Sequence, residues 1–301
     1  RRDFTINTLA LRLDGSHFGE LQDYWGGLND LKKKQVKVLH SLSFVDDPTR
    51  MLRAVRFEQR FGFNIEERTL QLMREARENL KQISGDRIRH EFNLIFQEAD
   101  PPKVLKRLME LNLLSAVEPN LVWKDDWADA LKKAVTGSPA KPWDLTVQAG
   151  LGDLNIASAY LVWFANLSAE AALAIAKRLH FSNPMLGALK ASLALQTKSQ
   201  QLESMPPSQF TDTVQNLPEI ALYTLDCLHE NQIIKQQIQN YLTIWRELES
   251  FTTGETLKAK GIPPGPRYAA ILKELKNAKL DGKISSQQQE FEYLDQLLLD
   301  L

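Results

Sequence analysis

The chain has 301 residues, of which 43% are hydrophobic and 25% charged, and its formal net charge is −1. These proportions indicate a globular protein, and the charge excludes a bulk polycation, so an RNA site would be a local groove. The single cysteine, Cys227, excludes an internal disulfide framework and fits a reducing cytoplasm. Because no apolar run approaches the ~20 residues of a membrane span and no signal peptide is present, we expect a cytoplasmic protein without a membrane partner.

The first forty residues combine strand and turn signals. Residues 4–13 alternate in part between apolar and polar side chains, and residues 20–25 follow the Asp-Gly-Ser turn at 14–16, which predicts a β-hairpin. A short helical turn is predicted over residues 28–34 and one further strand over residues 36–39. We interpret this part as the last piece of an α/β domain.

Residues 47–57 contain the most informative pattern of the chain. One carboxylate and three arginines recur at steps of three residues and therefore share one helix face: Asp47, Arg50, Arg53 and Arg56. Asp47 stands where an N-cap belongs, Pro48 fits the first helical position, and Gly62 is a suitable C-cap. Three guanidinium groups beside one carboxylate favour an anionic ligand. The alternative is a solvated helix face behind an ordinary cap.

From residue 47 onward the apolar residues follow a helical period. Gly, Pro and Ser residues indicate a loop over residues 136–142. The whole pattern predicts a mainly α fold, with strands confined to residues before about 40. Helices are predicted over residues 48–61, 66–80, 85–98, 103–111, 153–165, 168–180, 184–203, 208–216, 218–228, 230–250 and 269–280.

Residues 258–268 form a second informative segment, in which a Gly- and Pro-rich turn connects two helices. Backbone N–H groups at such a turn can hold a phosphate, and Lys258, Lys260 and Arg267 supply positive charge around it. The alternative is a plain helix–helix connector with surface cations.

Four motifs occur in a fixed order within the first 91 residues. The first two are Arg-Arg-Asp-Phe-Thr-Ile-Asn-Thr-Leu-Ala at 1–10 and Asp-Tyr-Trp-Gly-Gly-Leu-Asn-Asp-Leu at 23–31. The third is the helix face of Asp47, Arg50, Arg53 and Arg56, which we call the Asp47 stripe, and the fourth is Gly-Asp-Arg-Ile-Arg-His-Glu at 85–91. Together they resemble the class II tRNA nucleotidyltransferase and bacterial poly(A) polymerase family. The resemblance implies a mainly α fold whose parts are a remnant of the α/β nucleotidyltransferase head (1–40), a helical neck (41–125), a helical body (126–217) and a helical tail (218–301).

The resemblance also implies an enzyme activity, the template-independent addition of C and/or A to tRNA 3′ ends from CTP and ATP. A carboxylate can accept a hydrogen bond from the amino group of adenine or cytosine while an arginine donates to a ring nitrogen, and the family assigns this base selection to Asp47 and Arg50. Further nucleotide contacts implied by the resemblance are Arg53, Arg56, Arg2, Asp3 and Asn7. The family pattern has Glu at the position of Asp46. The Asp side chain is one methylene shorter than the Glu that braces the neighbouring carboxylate in the family.

RNA contacts are expected from Arg87 and Arg89 in the motif at 85–91 and from Lys258, Lys260 and Arg267 near the C-terminus. For Arg87 the local spacing favours a simpler role, because Glu91 lies four residues further along the helix and can form a salt bridge with it.

No catalytic or metal-binding residue is expected in this chain. The five histidines show no metal-ligand spacing, and the family's Mg-binding carboxylates lie upstream of the Arg-Arg-Asp motif. We therefore expect a fragment that lacks nucleotidyl-transfer activity by itself, preceded in the parent protein by the rest of the head and by phosphoesterase-like and CBS domains. The alternative functions are a poly(A) polymerase, a non-catalytic RNA-binding module and a purely structural helical scaffold. The sequence also leaves open whether the enzyme adds A, CC or CCA.

Overall fold

A computed structural model describes most of the chain, namely residues 2–137, 141–145 and 150–299. Arg1 of the first motif and residues 138–140 of the expected loop lie outside the described residues. The described ranges are mainly helical, which confirms the predicted fold class. Among them, no helix is long and apolar enough to cross a lipid bilayer.

The chain divides into two compact units. The first comprises Arg1–Gly137 and Ala149–Gly187, and the second comprises Ser138–Gln148 and Ala188–Leu301. The four-part division into head remnant, neck, body and tail stays a prediction.

The elements follow one another along the chain in a simple order. The strands are β1 (Ala10–Leu11), β2 (Leu21–Gln22), β3 (Gln35–Val36) and β4 (Asn64–Ile65). The α-helices are α1 (Gly27–Lys32), α2 (Ser43–Asp46), α3 (Arg50–Phe61), α4 (Glu67–Ala76), α5 (Gly85–Phe96), α6 (Pro101–Glu110), α7 (Leu113–Val117), α8 (Ala128–Thr136), α9 (Leu154–Ala165), α10 (Ala169–Arg178), α11 (Asn183–Thr197), α12 (Ser199–Ser204), α13 (Pro207–Val214), α14 (Glu219–Leu228), α15 (Gln232–Asn240), α16 (Gly254–Ala259), α17 (Pro266–Leu280) and α18 (Gln287–Leu299).

The predicted hairpin is present but much shorter than expected. β1 pairs with β2 in antiparallel register over two residues of each strand. Before β1 the chain forms a 3₁₀ turn at Thr5–Asn7, because the Thr5 hydroxyl donates to the buried Asp30 carboxylate (2.7 Å) and holds the chain against α1. A continuous strand from residue 4 would break this contact.

The expectation that strands are confined to residues before about 40 is wrong, because β4 follows α3. Gly62 ends α3 in the left-handed conformation (φ +63°), as a C-cap does, and turns the chain back. Asn64 and Ile65 then pair in parallel with β3. β3 covers Gln35 and Val36, so it shares only Val36 with the strand predicted over residues 36–39.

Helix α3 begins at Arg50, two residues later than the sequence predicts. Asp47 is extended, and its Oδ1 accepts hydrogen bonds from the Thr49 backbone N–H (3.1 Å) and the Thr49 hydroxyl (2.7 Å). Asp47 therefore caps a turn that leads into the helix. The apolar face of α3 is buried in the first unit through Met51, Leu52, Ala54 and Val55.

Helix α5 starts against the end of α10. A Cβ atom built on Gly85 would overlap the carbonyl oxygen of Arg178, so this position requires glycine. The Arg178 guanidinium in turn donates from Nη2 to the Ile83 carbonyl oxygen (2.7 Å) and the Leu80 carbonyl oxygen (3.2 Å). Further along α5, Phe92 packs edge-on against the fully buried Trp163, with ring centroids 5.5 Å apart.

In the second unit, the helix predicted over residues 230–250 is shorter than expected. It consists of α15 followed by a π-helical turn at Tyr241–Trp245, and the chain then leaves the helix. The wider turn lets Tyr241, Leu242 and Trp245 all reach one apolar cluster, in which Trp245 packs against Phe210 at 5.8 Å between ring centroids. A second cluster joins α16, α17 and α18 through Leu257, Ile271, Leu275 and Leu294.

We expect Gly85→Ala to lower the free energy of unfolding by about 1–3 kcal/mol, because the added methyl group meets a backbone carbonyl that cannot yield. Gly187→Ala is the matched control, since nothing lies within 4 Å of a Cβ at this exposed helical site. Alanine there should be neutral or stabilising. Urea unfolding of both variants measures the difference, and equal midpoints would contradict the proposed clash.

Candidate functional site

A cavity of about 330 Å³ in the first unit brings the Asp47 stripe and the motif at 85–91 together. It lies between the start of α3 and the first two turns of α5. Its lining residues are Asp47, Thr49, Arg53, Asp86, Arg87, His90 and Glu91. Three carboxylates and two guanidinium groups therefore face one small space.

Asp3 holds two arginines of the stripe side by side. Its Oδ1 accepts a hydrogen bond from Arg50 Nε (3.1 Å), and its Oδ2 forms a close ion pair with Arg53 Nη2. Arg50 also donates from Nη1 to the Ser43 hydroxyl (2.8 Å) and the Ser43 carbonyl oxygen (3.2 Å). With 5% of its surface exposed, Arg50 lies behind the cavity wall, whereas Arg53 is part of that wall.

Asp47 is paired with Arg87 across the two helices. Arg87 Nη2 lies 2.8 Å from Asp47 Oδ1, so the expected salt bridge between Arg87 and Glu91 is wrong. Burial disfavours the charged form of Asp47, but the hydrogen bonds from Thr49 and the charge of Arg87 outweigh it and lower the pKa of this carboxyl. Asp47 Oδ2 accepts no hydrogen bond from the part of the chain that the structure describes.

Arg56 continues the stripe away from the cavity. Its Nη1 donates to Glu98 (3.1 Å), which also lies 3.7 Å from Arg60. Glu91 is further from Arg56, with 4.0 Å between Oε2 and Nη2. Arg56 is therefore a buried, paired cation in this structure.

Glu91 is the functional candidate that the sequence did not single out. It is 6% exposed, lines the cavity, and accepts no hydrogen bond within the described ranges. Burial raises the pKa of Glu91, and the charges of Arg53 and Arg56 offset only part of this rise. Its spacing to Arg87 suggested a local pair, and a helix-spacing rule carries no information on partners in another helix.

The other predicted residues lie outside the cavity. Arg2 is exposed, and the buried Asn7 Oδ1 has no hydrogen-bond partner among the described residues. Arg89 ties the end of α10 to α5, because its Nη1 donates to the carbonyl oxygens of Leu179 and His180 (2.6 Å each). Its Nη2 donates to Asp86 at 2.8 Å.

The predicted basic segment lies in the second unit, between α16 and α17. Lys258 and Arg267 are exposed, and Lys260 forms an ion pair with Asp295. The Tyr268 hydroxyl donates to the Ile262 carbonyl oxygen (2.8 Å) and fixes the turn. The three cations therefore stand on an ordered connection.

The described residues contain no ready-made cluster of metal ligands. Among them, no group of three or more His, Cys, Asp or Glu side chains could hold a metal ion. The cavity carboxylates are instead placed beside guanidinium groups.

We expect the pH dependence of stability to report the burial of Glu91. A carboxyl whose pKa is raised above its ordinary 4.5 on folding stabilises the fold below that value and loses this contribution as pH rises through the folded-state pKa. Wild type should therefore lose stability relative to Glu91→Gln as the pH rises above about 4.5, as measured by urea unfolding. Parallel curves for the two proteins would show that Glu91 titrates alike in both states.

Two family models and several known proteins are similar to this chain in sequence. The model described as the Poly A polymerase head domain matches residues 1–37, and the model described as a probable RNA and SrmB-binding site of polymerase A matches residues 62–124. An A-adding tRNA nucleotidyltransferase of Geobacter sulfurreducens is 34% identical over 96% of this chain and 34% of its own length. A CCA-adding enzyme of Lactobacillus gasseri is 30% identical over 95% of this chain and 68% of its own length.

Solved structures agree with these matches. The Thermotoga maritima CCA-adding enzyme complexed with tRNA has a TM-score of 0.72 at 27% identity, over 99% of this chain and 72% of that one. A CCA-adding enzyme in complex with CTP has a TM-score of 0.75 at 28% identity, over 99% of this chain and 71% of that one. The chain thus spans about one third of the Geobacter relative and about two thirds of the other relatives named here. From its motifs, fold and relatives, the chain belongs to the class II tRNA nucleotidyltransferase family.

Proposed function

We propose that this chain is part of a template-independent nucleotidyltransferase that adds C and/or A to tRNA 3′ ends, and that it supplies nucleotide selection and tRNA binding. The observation that carries the proposal is the cavity in which Asp47, Arg53 and Arg87 meet. Structural relatives described as complexes with ATP, CTP and tRNA support the same substrates. The choice among A, CC and CCA addition is not part of the proposal.

In this proposal, Asp47 selects the base. The Arg87 ion pair keeps the carboxylate ionised and occupies Oδ1, while Oδ2 accepts no hydrogen bond from the described residues. Adenine and cytosine each offer an exocyclic amino donor beside a ring acceptor, whereas uracil and guanine present a different pattern there. A carboxylate fixed in this way rejects uracil and guanine, because Oδ2 of Asp47 would then receive no hydrogen bond from the base.

The donor to the ring nitrogen comes from the arginine stripe. We propose Arg50 for this role, as the family resemblance implies. Arg50 lies behind the cavity wall, and Nη2, which takes no part in its bonds to Asp3 and Ser43, is the atom that would contact the base. Arg53 faces the cavity directly and is the sugar–phosphate contact. Asn7, Arg2 and Arg56 stay predicted nucleotide contacts.

We propose that the remaining machinery belongs to other parts of the protein. Phosphoryl transfer of this kind uses metal ions that neutralise charge on the phosphates. Because the described residues offer no site for Mg²⁺, we propose that other parts of the protein bind it. The upstream head, phosphoesterase-like and CBS domains stay part of this proposal.

Replacing Asp47 should damage base selection. In the complete protein that carries this chain, we expect Asp47→Ala to lower the preference for A or C over U and G by about 10–100-fold, the loss of roughly 1–3 kcal/mol at an unsatisfied partner. Asp125→Ala is the control, since Asp125 makes a comparable ion pair with Lys106 (2.6 Å) on the surface. Incorporation of all four nucleotides measures the effect, and an unchanged preference would make the Asp47 stripe structural.

The basic turn at 258–268 should hold tRNA through its backbone. We expect Lys258, Lys260 and Arg267 changed together to alanine to weaken tRNA binding, and the slope of log K against log salt to become shallower by about 2, because fewer counterions are released. A variant with Lys190, Lys198 and Lys283 changed to alanine removes the same charge from exposed sites in the same unit. Equal salt slopes in both variants would leave the turn as a connector.

A further inference from the structure

An exposed aromatic side chain stands at the end of α3. Phe61 is 48% exposed, and its ring centroid lies 5.7 Å from that of Phe57 and 5.5 Å from that of Phe63. Phe57 in turn packs edge-on against the fully buried Phe4, at 5.6 Å between centroids. The rings form a row that leads from the core to the surface, and this row holds Phe61 in place.

A run of lysines ends beside these rings. Residues 32–34 are three exposed lysines, and none of them forms an ion pair with any residue that the structure describes. Residues 31–45 contain no Asp or Glu. The Lys34 carbonyl oxygen accepts a hydrogen bond from the backbone N–H of Asn64 (2.9 Å), the residue that follows Phe63. The lysine run and the aromatic row therefore meet at the parallel pair of β3 and β4.

Arg60 adds a fourth cation to this place. Its guanidinium carbon lies 5.5 Å from the centroid of the Phe61 ring, and its side chain is about half exposed. Glu98 is 3.7 Å from Arg60 but makes a shorter contact, 3.1 Å, with Arg56. We call the whole area the Phe61 surface, and it consists of Lys32, Lys33, Lys34, Arg60, Phe61 and Phe63.

The chemistry of the Phe61 surface is that of a contact with nucleic acid. A single exposed Phe is ordinary on a protein surface, but this one stands among four cations. Aromatic rings stack on bases, while lysine and arginine neutralise phosphates. A base inside a duplex is already stacked on both faces, so only an unpaired base can reach the Phe61 ring. RNA is the nucleic acid on which the proposed function acts.

The Phe61 surface is separate from the nucleotide cavity. Arg50 and Phe61 are the two ends of the 12-residue helix α3, which are about 17 Å apart. None of the six residues of the surface lines the cavity. A strand bound at Phe61 would therefore leave the base-selecting site free.

We propose that the Phe61 surface binds single-stranded RNA, with a base stacked on Phe61 and with phosphates against its four cations. The choice of RNA rests on the proposed function, whereas the surface itself depends neither on the nucleotide cavity nor on the basic turn at 258–268. It reads no sequence, because every base has a face that can stack.

Salt-dependent binding of a labelled oligouridine to the complete protein that carries this chain tests the proposal. Oligouridine is the probe because the proposed base-selecting cavity rejects uracil. We expect Lys32, Lys33 and Lys34 changed together to alanine to weaken binding about tenfold and to make the slope of log K against log salt shallower by about 2, since each phosphate contact on a single strand contributes about 0.7. The control changes three other exposed lysines of the first unit to alanine and should keep the wild-type slope: Lys103, Lys124 and Lys177.

Variants of Phe61 test the stacking separately from the charge. Phe61→Leu should weaken oligouridine binding about fivefold or more and leave the salt slope unchanged, because a stacked base is lost but no phosphate contact. Phe61→Tyr keeps the ring and should bind as wild type does. A difference between the leucine and tyrosine variants is a sign of stacking that a general loss of structure does not produce.

Two results would overturn the proposal. If the lysine variant and its control bind oligouridine alike, the lysines are only a solvated surface. If the lysine variant binds weakly but Phe61→Leu and Phe61→Tyr bind alike, no base stacks there, and competition by a polyglutamate peptide would then indicate an acidic protein as the partner. The preference for ATP over GTP should stay at the wild-type value in all these variants, so failure of the nucleotide site and failure of this surface are distinguishable.

Discussion

The ion pairs of Asp3 with Arg50 and Arg53 are the interaction on which the site depends. They join the start of the chain to α3 across 47 residues of sequence, in a place where Asp3 is 8% exposed. Without this carboxylate, the buried Arg50 and the half-buried Arg53 would repel each other and lose their ion pairs, which is costly for a buried cation. Because Asp3 fixes both arginines, Arg50 stays behind the wall and Arg53 forms part of it.

Two carboxyls of one cavity are held in opposite electrostatic environments. Hydrogen bonds and a partner cation lower the pKa of Asp47 despite its burial, whereas burial dominates at Glu91 and raises its pKa. The difference arises from partners, since Arg87 contacts Asp47 directly and no hydrogen bond reaches Glu91 in the described ranges. The cavity thus contains one carboxyl with a direct ion pair and one with only longer-range charge interactions.

Local sequence rules predicted the helix of the stripe and its end at Gly62, because helical period and the left-handed cap depend on nearby residues. They placed Arg87 opposite Glu91, whereas its partner Asp47 is 40 residues away in sequence. The same limit applies to β4, a two-residue strand that exists only because β3 lies beside it. Motif resemblance identified the family and most stripe residues, but the division of Arg50 and Arg53 between the interior and the cavity required the packing of Asp3.

The fixed start of α5 determines how the cavity can change size. Gly85 is pressed against the Arg178 carbonyl, so this end of the helix has little room to move, and a small tilt would be about that point. With a rise of 1.5 Å per residue, Arg87 lies about 3 Å and Glu91 about 9 Å along the axis from the pivot. A given tilt therefore displaces Glu91 about three times as far as Arg87. The ion pair of Arg87 with Asp47 therefore lies on the part of the cavity wall that such a tilt would displace least.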